Sequence, residues 1–397
     1  MTTTTPERPP LIRRKSHRIV AEDVGFRTKL LEIAAGLPDV IAMGRGDPDF
    51  HTPAHIVAAA QAAIANNEHH YTHAAGILPL RQAIADKLAR ENGLEYTADE
   101  VLVTAGAQEA VMVCMLALLD DGDEVLLPTP RFMSYDSAVT MCGGVPVSVP
   151  SDEATDFAMV PSEIEKCITD RTKVLVLVTP GNPTGAVTPP AMIREIAEIA
   201  KRHDLIVISD EIYEKLIWDG QEHLSIATLP GMRERTITIN GFSKSYAMTG
   251  WRVGYLAAPA AFARMLIEPR HTLSINAATP SQHAALAALT GPQDAVGAMV
   301  EEYRERRAAT MAGLDAMGLT YGFPGGAFYI YVNTSSTGMG GEAFCLHLLR
   351  EGRVMIQPGT MFGDASDDYI RIGYLQPLPR ILEALERMKD VIARLPR

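Results

Sequence analysis

K-V-L-V-L-V-T at positions 173–179 and L-I-V-I-S at 205–209 are short β-branched runs, and the residues between them carry a helical pattern. Thr188 reads as a helix N-cap and Pro189 as the first helical position, where the missing proline N–H is not needed. Ile193, Ile196 and Ile199 then recur at helical spacing, which turns one apolar face towards a sheet. Strand, helix and strand in this order predict parallel strands covered by helices. The alternation continues in both directions. Further strands are expected at 100–104, 124–128, 145–149 and 236–240. A helix at 80–92 would place Leu80, Ile84 and Leu88 on one face before Gly93 stops it.

Beyond Gly291-Pro292, which breaks the helical pattern, the organisation changes: a long charged helix is expected at 299–317, a strand at 327–332 and an amphipathic helix at 380–395. A chain of 397 residues exceeds what one ordinary core supports. The expected class is therefore α/β. Residues 47–290 would form a large domain with a mainly parallel sheet flanked by helices, 21–46 with 291–397 a smaller α+β domain, and 1–20 a flexible arm.

Net charge is −12 and the Lys and Arg residues are scattered, so no nucleic-acid footprint is expected. The four cysteines, Cys114, Cys142, Cys167 and Cys345, lie far apart without C-x-x-C spacing, which reads as reduced, buried thiols in a cytoplasmic protein. The first twenty residues hold a basic cluster, Arg13-Arg14-Lys15, but no apolar core and no small-residue cleavage site, so they do not read as a signal peptide. The longest apolar stretch, 110–119, is about half a bilayer span, and no membrane association is expected.

Polar motifs gather where the predicted strands end, the edge at which parallel α/β sheets bind ligands. Thr104-Ala105-Gly106-Ala107-Gln108 opens a helix, so its small residues leave backbone N–H groups open to a phosphate; the same residues also make an ordinary strand-to-helix turn. Pro180-Gly181-Asn182-Pro183-Thr184-Gly185 either fixes an asparagine amide or is a plain Pro/Gly loop. Asp210 closes a very apolar run, with Tyr213 three residues on. A carboxylate at that depth needs a cationic partner such as a protonated pyridine nitrogen, or else it caps a helix. Ser243-Lys244 follows another strand, and a lysine of depressed pKa there suits a Schiff base with an aldehyde, while Ser243 and Arg252 suit a phosphate.

Together these segments resemble the class I aminotransferases of the pyridoxal 5′-phosphate fold-type I group, in the branch of prokaryotic aspartate and aromatic transaminases. Gly46-Asp47-Pro48-Asp49-Phe50 is similar to the family's G-[ED]-P-D-F, and Tyr71, Gly76 and Leu80-Arg81 to its Y-x₄-G-x₃-L-R segment. Pro180–Gly185, Ser209-Asp210-Glu211-Ile212-Tyr213, Ser243-Lys244 and Gly250-Trp251-Arg252-Val253-Gly254-Tyr255 follow in family order. The resemblance runs from about Gly44 to the C-terminal helix.

It implies a pyridoxal phosphate enzyme in which Lys244 is the Schiff-base lysine and proton shuttle, and Asp210 holds the pyridinium protonated. Tyr213 and Asn182 would contact the ring oxygen, with Phe132 stacked on the ring. The phosphate would rest on Gly106, Ala107, Gln108, Ser243 and Arg252, with Tyr71 supplied by the neighbouring subunit of a homodimer with shared sites. Arg371, in Tyr369-Ile370-Arg371-Ile372-Gly373-Tyr374, would bind the substrate α-carboxylate with Asn182 and the backbone of Gly46. The activity implied is ping-pong transfer of an amino group from an L-amino acid to a 2-oxo acid. A carbon–sulfur β-lyase on the same fold is the alternative.

Departures bear on substrate. The branch often carries a lysine where this chain has Gln108, and a tyrosine where it has Arg131. Arg131 would either read an acidic side chain or pair on the surface, and Arg270 and His271 lie near the segment that reaches the partner's site.

Overall fold

The β-branched runs assemble into a seven-stranded sheet in a computed structural model that describes Ser16, Arg18 and residues 24–363 and 367–395. Apart from Ser16 and Arg18, the expected arm at 1–20 lies outside the described residues. From one edge the order is Val101–Thr104, Gly254–Ala257, Thr236–Gly241, Ile206–Asp210, Thr172–Val178, Glu124–Thr129 and Val145–Pro150. Every pairing is parallel except those of Gly254–Ala257, which runs antiparallel to both neighbours.

Alternate residues serve opposite faces, and both faces are dry. Val174 and Val176 pack with Val125, Leu127 and Ile208 beneath the helix Ala107–Leu118, whereas Leu175 and Leu177 pack with Leu126, Val207, Ile193 and Ile196 on the other side. Burying each such side chain is worth about 1.5–3 kcal/mol. The helix carrying Ile193 and Ile196 is Pro190–Arg202, so Thr188 is not its cap: Pro189 takes that position at φ −58°, ψ 142°. Pro190 disfavours helical geometry at the residue before it, and the Thr188 N–H instead donates to Thr179 Oγ1 at 3.0 Å.

The antiparallel strand Gly254–Ala257 was absent from the expected set, and it matters. Its first residue lies opposite Thr104 and Gly241, the last residues of two parallel strands. Arg252, just before it, is thereby delivered to the same edge of the sheet.

A second, antiparallel sheet is ordered Gln357–Pro358, Tyr369–Gly373, Tyr329–Asn333 and Thr320–Tyr321. It shares a core with the helices Asp294–Ala316, Gly341–Gly352 and Leu378–Ala393 through Tyr303, Phe344, Leu348 and Met388. Ile41–Ala42 pairs in parallel with Val354–Met355, which brings the Gly44–Gly46 backbone alongside this sheet. Cys114 and Cys345 are buried free thiols, while Cys142 and Cys167 are only half-buried. No helix among the described residues is long and apolar enough to cross a membrane.

Candidate active site

The parallel strand ends and the second sheet enclose a cavity of about 1230 Å³. One end of it is an anion cradle. Gly106 turns the chain from strand to helix at φ +89°, and a Cβ there would stand 2.7 Å from an Arg252 guanidinium nitrogen, so only glycine fits. The helix Ala107–Leu118 has no side-chain cap, and the N–H groups of Ala107 and Gln108 have no intrahelical acceptor. Arg252 donates only to carbonyls, of Thr249 at 3.1 Å and Ala105 at 3.2 Å, and pairs with no carboxylate among the described residues. Ser243 lines the same end. Free N–H groups at a helix N-terminus, an unpaired guanidinium and a hydroxyl form a donor set suited to a phosphate.

Asp210 is the last residue of its strand, paired with Val178 and Ile239. Turns rather than a helix follow it, so it caps nothing. The side chain is buried, Oδ2 accepts from the Tyr135 phenol at 2.5 Å, and Oδ1 accepts from the Ile212 N–H at 3.2 Å. Burial pushes this carboxyl above its usual range, while the Tyr135 and Ile212 donors and, more weakly, the Lys244 charge pull it back down. No ion pair to Asp210 is present among the described residues, so this carboxyl group has no cationic partner of its own. Tyr213, also buried, has its hydroxyl 3.2 Å from that of Tyr329. Phe132 lines the cavity and is exposed.

Lys244 is half-buried, and its amine donates to the Gly46 carbonyl at 2.6 Å. The Phe328 and Tyr213 ring centroids lie 5.7 and 5.9 Å from it. A Cβ at Gly46 would fall 2.5 Å from the Tyr329 hydroxyl, so a side chain there would have to displace that phenol.

The opposite wall carries Arg371, which donates to Asn182 Oδ1 at 2.8 Å, Gly44 O at 2.6 Å and Gln357 Oε1 at 2.8 Å. All three acceptors are neutral, and the buried Nε has no partner among the described residues. The guanidinium lies over Tyr329, 4.4 Å from the ring centroid. Burial lowers its pKa. A buried cation with an unused donor, facing a cavity, is a seat for a carboxylate.

The remaining expected positions divide. Gln108 Nε2 donates to Ser134 Oγ at 3.2 Å. Arg131 is not a surface pair: it is buried in the cavity wall and bound to Asp136, with Nε to Oδ2 at 2.8 Å. Tyr71 is 81% exposed and is not part of the cavity wall of a single chain. Arg270 is buried behind the cradle, donating to Val103 O at 3.1 Å, while His271 is exposed. Tyr135, Tyr329 and Gln357 were missed, since each acts through partners distant in sequence.

The profile of aminotransferase class I and II matches residues 38–387. The chain is 43% identical over 367 residues to an aspartate aminotransferase of Pyrococcus abyssi, covering 92% of this chain and 94% of that protein. It is 40% identical over 367 residues to aromatic-amino-acid aminotransferase 2 of Thermococcus litoralis, with the same two shares covered. Among solved structures, the aspartate aminotransferase of Rhizobium meliloti superposes with a TM-score of 0.92 at 35% identity, covering 96% of this chain and 100% of that one. With the fold, the strand-end cavity and the family profile in agreement, the chain belongs to the class I and II aminotransferases.

Proposed function

We propose that this aminotransferase uses pyridoxal 5′-phosphate to pass an amino group from an L-amino acid to a 2-oxo acid in a ping-pong cycle. One observation carries the reading: among the described residues, an amine without a carboxylate partner (Lys244), a buried carboxyl group without a cation (Asp210) and an uncapped helix N-terminus beside Arg252 line one cavity. When bound, the cofactor supplies an aldehyde for the lysine and an electron sink for negative charge at the substrate Cα.

The chain's own groups do the rest. Asp210 would hold a proton at the ring nitrogen, and Tyr135 with the Ile212 N–H opposes the upward push of burial on its carboxyl. Tyr213 and Asn182 would donate hydrogen bonds to the ring oxygen, and Phe132 would cover the ring. Gly106, the N–H groups of Ala107 and Gln108, Ser243 and Arg252 would hold the phosphate, joined by Tyr71 of a second subunit. The exposure of Tyr71 is what a residue working across a homodimer interface would show in one chain. Arg371 and Asn182, with the Gly46 backbone, orient the α-carboxylate so that the Cα–H faces Lys244. The Lys244 amine would take that proton from Cα and deliver it to the carbon of the cofactor's former aldehyde, and would carry it the opposite way in the second half of the cycle. Residues 47–290 form one body and 21–46 with 291–397 a second, which brings Arg371 to the cofactor. We place the enzyme in the cytoplasm, which suits its unpaired thiols.

Reconstitution with pyridoxal phosphate should give a visible absorption band that an L-amino acid bleaches and a 2-oxo acid restores. Lys244→Ala should cut turnover by more than about a hundredfold; a variant that turned over normally would sink the assignment. Pyruvate and ammonia formed without an acceptor would instead mark elimination. Mixing inactive Tyr71→Ala and Lys244→Ala proteins should restore part of the activity, and no recovery after subunit exchange would remove the shared site.

A further inference from the structure

The α-carboxylate seat leaves open what reads the rest of the substrate. The two polar candidates suggested by sequence are engaged elsewhere, Gln108 with Ser134 and Arg131 with Asp136. A third candidate, a cation, also lines the cavity. Arg27 lies on the helix Val24–Ala35, is exposed, and makes no hydrogen bond or ion pair among the described residues. Leu30, three residues on and therefore on the same helix face, is buried and lines the cavity too, which fixes that face towards the substrate space.

Among the described residues Arg27 has no answering anion. Of the carboxylates in the wall, Asp47 pairs with Arg45 at 3.5 Å and accepts from Thr249 at 2.5 Å, and Asp210 belongs to the ring seat. Glu342 accepts from Thr360 at 2.7 Å and forms no ion pair with Arg27. Arg27 is close enough that its charge disfavours the protonated form of Arg371. Two unneutralised guanidinium groups facing one cavity repel each other, and a ligand with a carboxylate at each end relieves both.

We propose that Arg27 reads the distal carboxylate, so that the substrates of this site are dicarboxylic amino acids and their 2-oxo acids. This rests on the assignment of Arg371 to the α-carboxylate. The guanidinium fork matches a carboxylate in geometry, and its place on a helix at the cavity mouth gives it the reach of a long side chain. Phe26, Leu31, Phe132 and Met361 supply apolar surface that would favour an aromatic side chain instead, and the test separates the two.

Succinate and 3-phenylpropanoate carry no amino group and therefore bind without reacting. Their affinities for the holoenzyme are to be measured by calorimetry for the wild type, Arg27→Gln, Arg27→Lys and Arg371→Leu. Arg27→Gln should weaken succinate about tenfold or more, as expected for a lost charge-assisted contact, and 3-phenylpropanoate by less than about threefold. Arg27→Lys should recover part of the succinate loss. The kcat/KM for aspartate and glutamate should fall by more than that for phenylalanine. Equal weakening of both probes, no change for succinate, or tighter binding of 3-phenylpropanoate than succinate by the wild type overturns the proposal. Arg371→Leu should weaken both probes; if it weakens neither, the α-carboxylate assignment fails, a result distinct from failure at Arg27 alone.

Discussion

Arg131 and Arg371 line the same cavity and are both buried, at 2% and 5% exposure, yet the two regions treat them differently. Arg131 follows the strand Glu124–Thr129 of the large sheet, where Asp136 takes two of its nitrogens and Thr129 and Ser148 take a third at 2.8 and 2.9 Å. Arg371, in the antiparallel sheet, meets only neutral oxygens and keeps Nε without a partner. A buried arginine that finds a carboxylate five residues away belongs to the fold. One that finds none among the described residues is, on the function proposed above, held ready for a carboxylate that arrives.

Removing the carboxylate should hurt the first region most. Asp136→Ala leaves a buried guanidinium unpaired and should cost about 3–5 kcal/mol of stability, measured by denaturant unfolding. If stability held and only substrate affinity fell, Arg131 would be a ligand-binding group after all and the contrast would collapse. For the second region, Arg371→Lys keeps the charge but loses the fork, and kcat/KM should drop by about 10- to 100-fold, about 1.5–3 kcal/mol in the transition state. The melting temperature should move little by comparison, because no internal ion pair is broken.

The contrast also explains what the sequence could show. Parallel strands were legible because runs such as Val174–Val178 must be apolar on both faces, and Asp210 stood out as a carboxylate closing such a run. Gly254–Ala257 was hidden: it has only four residues, and its glycine reads as punctuation. That Asn182, Ser243, Lys244 and Arg252 gather around one cavity was readable from motifs at strand ends. Tyr135 was not, because the hydrogen bond to Asp210 spans 75 residues and no local pattern announces it. The Tyr213–Tyr329 contact, 116 residues apart, is invisible for the same reason. Arg131 was misjudged because a charged side chain beside a turn looks solvated until its neighbours are known.

Tyr135 offers a finer test within the ring seat. Its phenol lowers the Asp210 carboxyl against the upward push of burial. Tyr135→Phe should therefore raise that carboxyl further and weaken pyridoxal phosphate binding by about tenfold, within the range of a hydrogen bond to a charged group. Equilibrium dialysis of the apoenzyme against the cofactor from acid to neutral pH checks this. A loss that did not shrink as pH rose would point to packing rather than to the charge on Asp210.

The smallest expected effect lies just behind Asp210, where the buried Glu211 carboxylate accepts from Ser209, Ser225 and His223 at 2.9, 2.6 and 2.9 Å. Burial alone would lower the His223 imidazole, but Glu211, with help from Glu214 and against Lys87, holds it above its ordinary value of 6.5. Burial would likewise raise Glu211, and His223 with the two serines keeps it below its ordinary 4.5. The His223 contribution is thus complete below its unfolded value and fades as pH rises through the higher folded one. That of Glu211 is complete above its unfolded value and fades as pH falls through the lower folded one. The pair is strongest between those two unfolded values, so His223→Gln should lose about 1–2 kcal/mol near pH 6 and progressively less towards pH 9. Melting curves across that range give the answer. A gap that stayed constant would mean that the imidazole contributes by shape and not by charge. Glu211 also pushes the Asp210 carboxyl upward, so a neutral His223 would leave that push less balanced and tie this pair to the ring seat it adjoins.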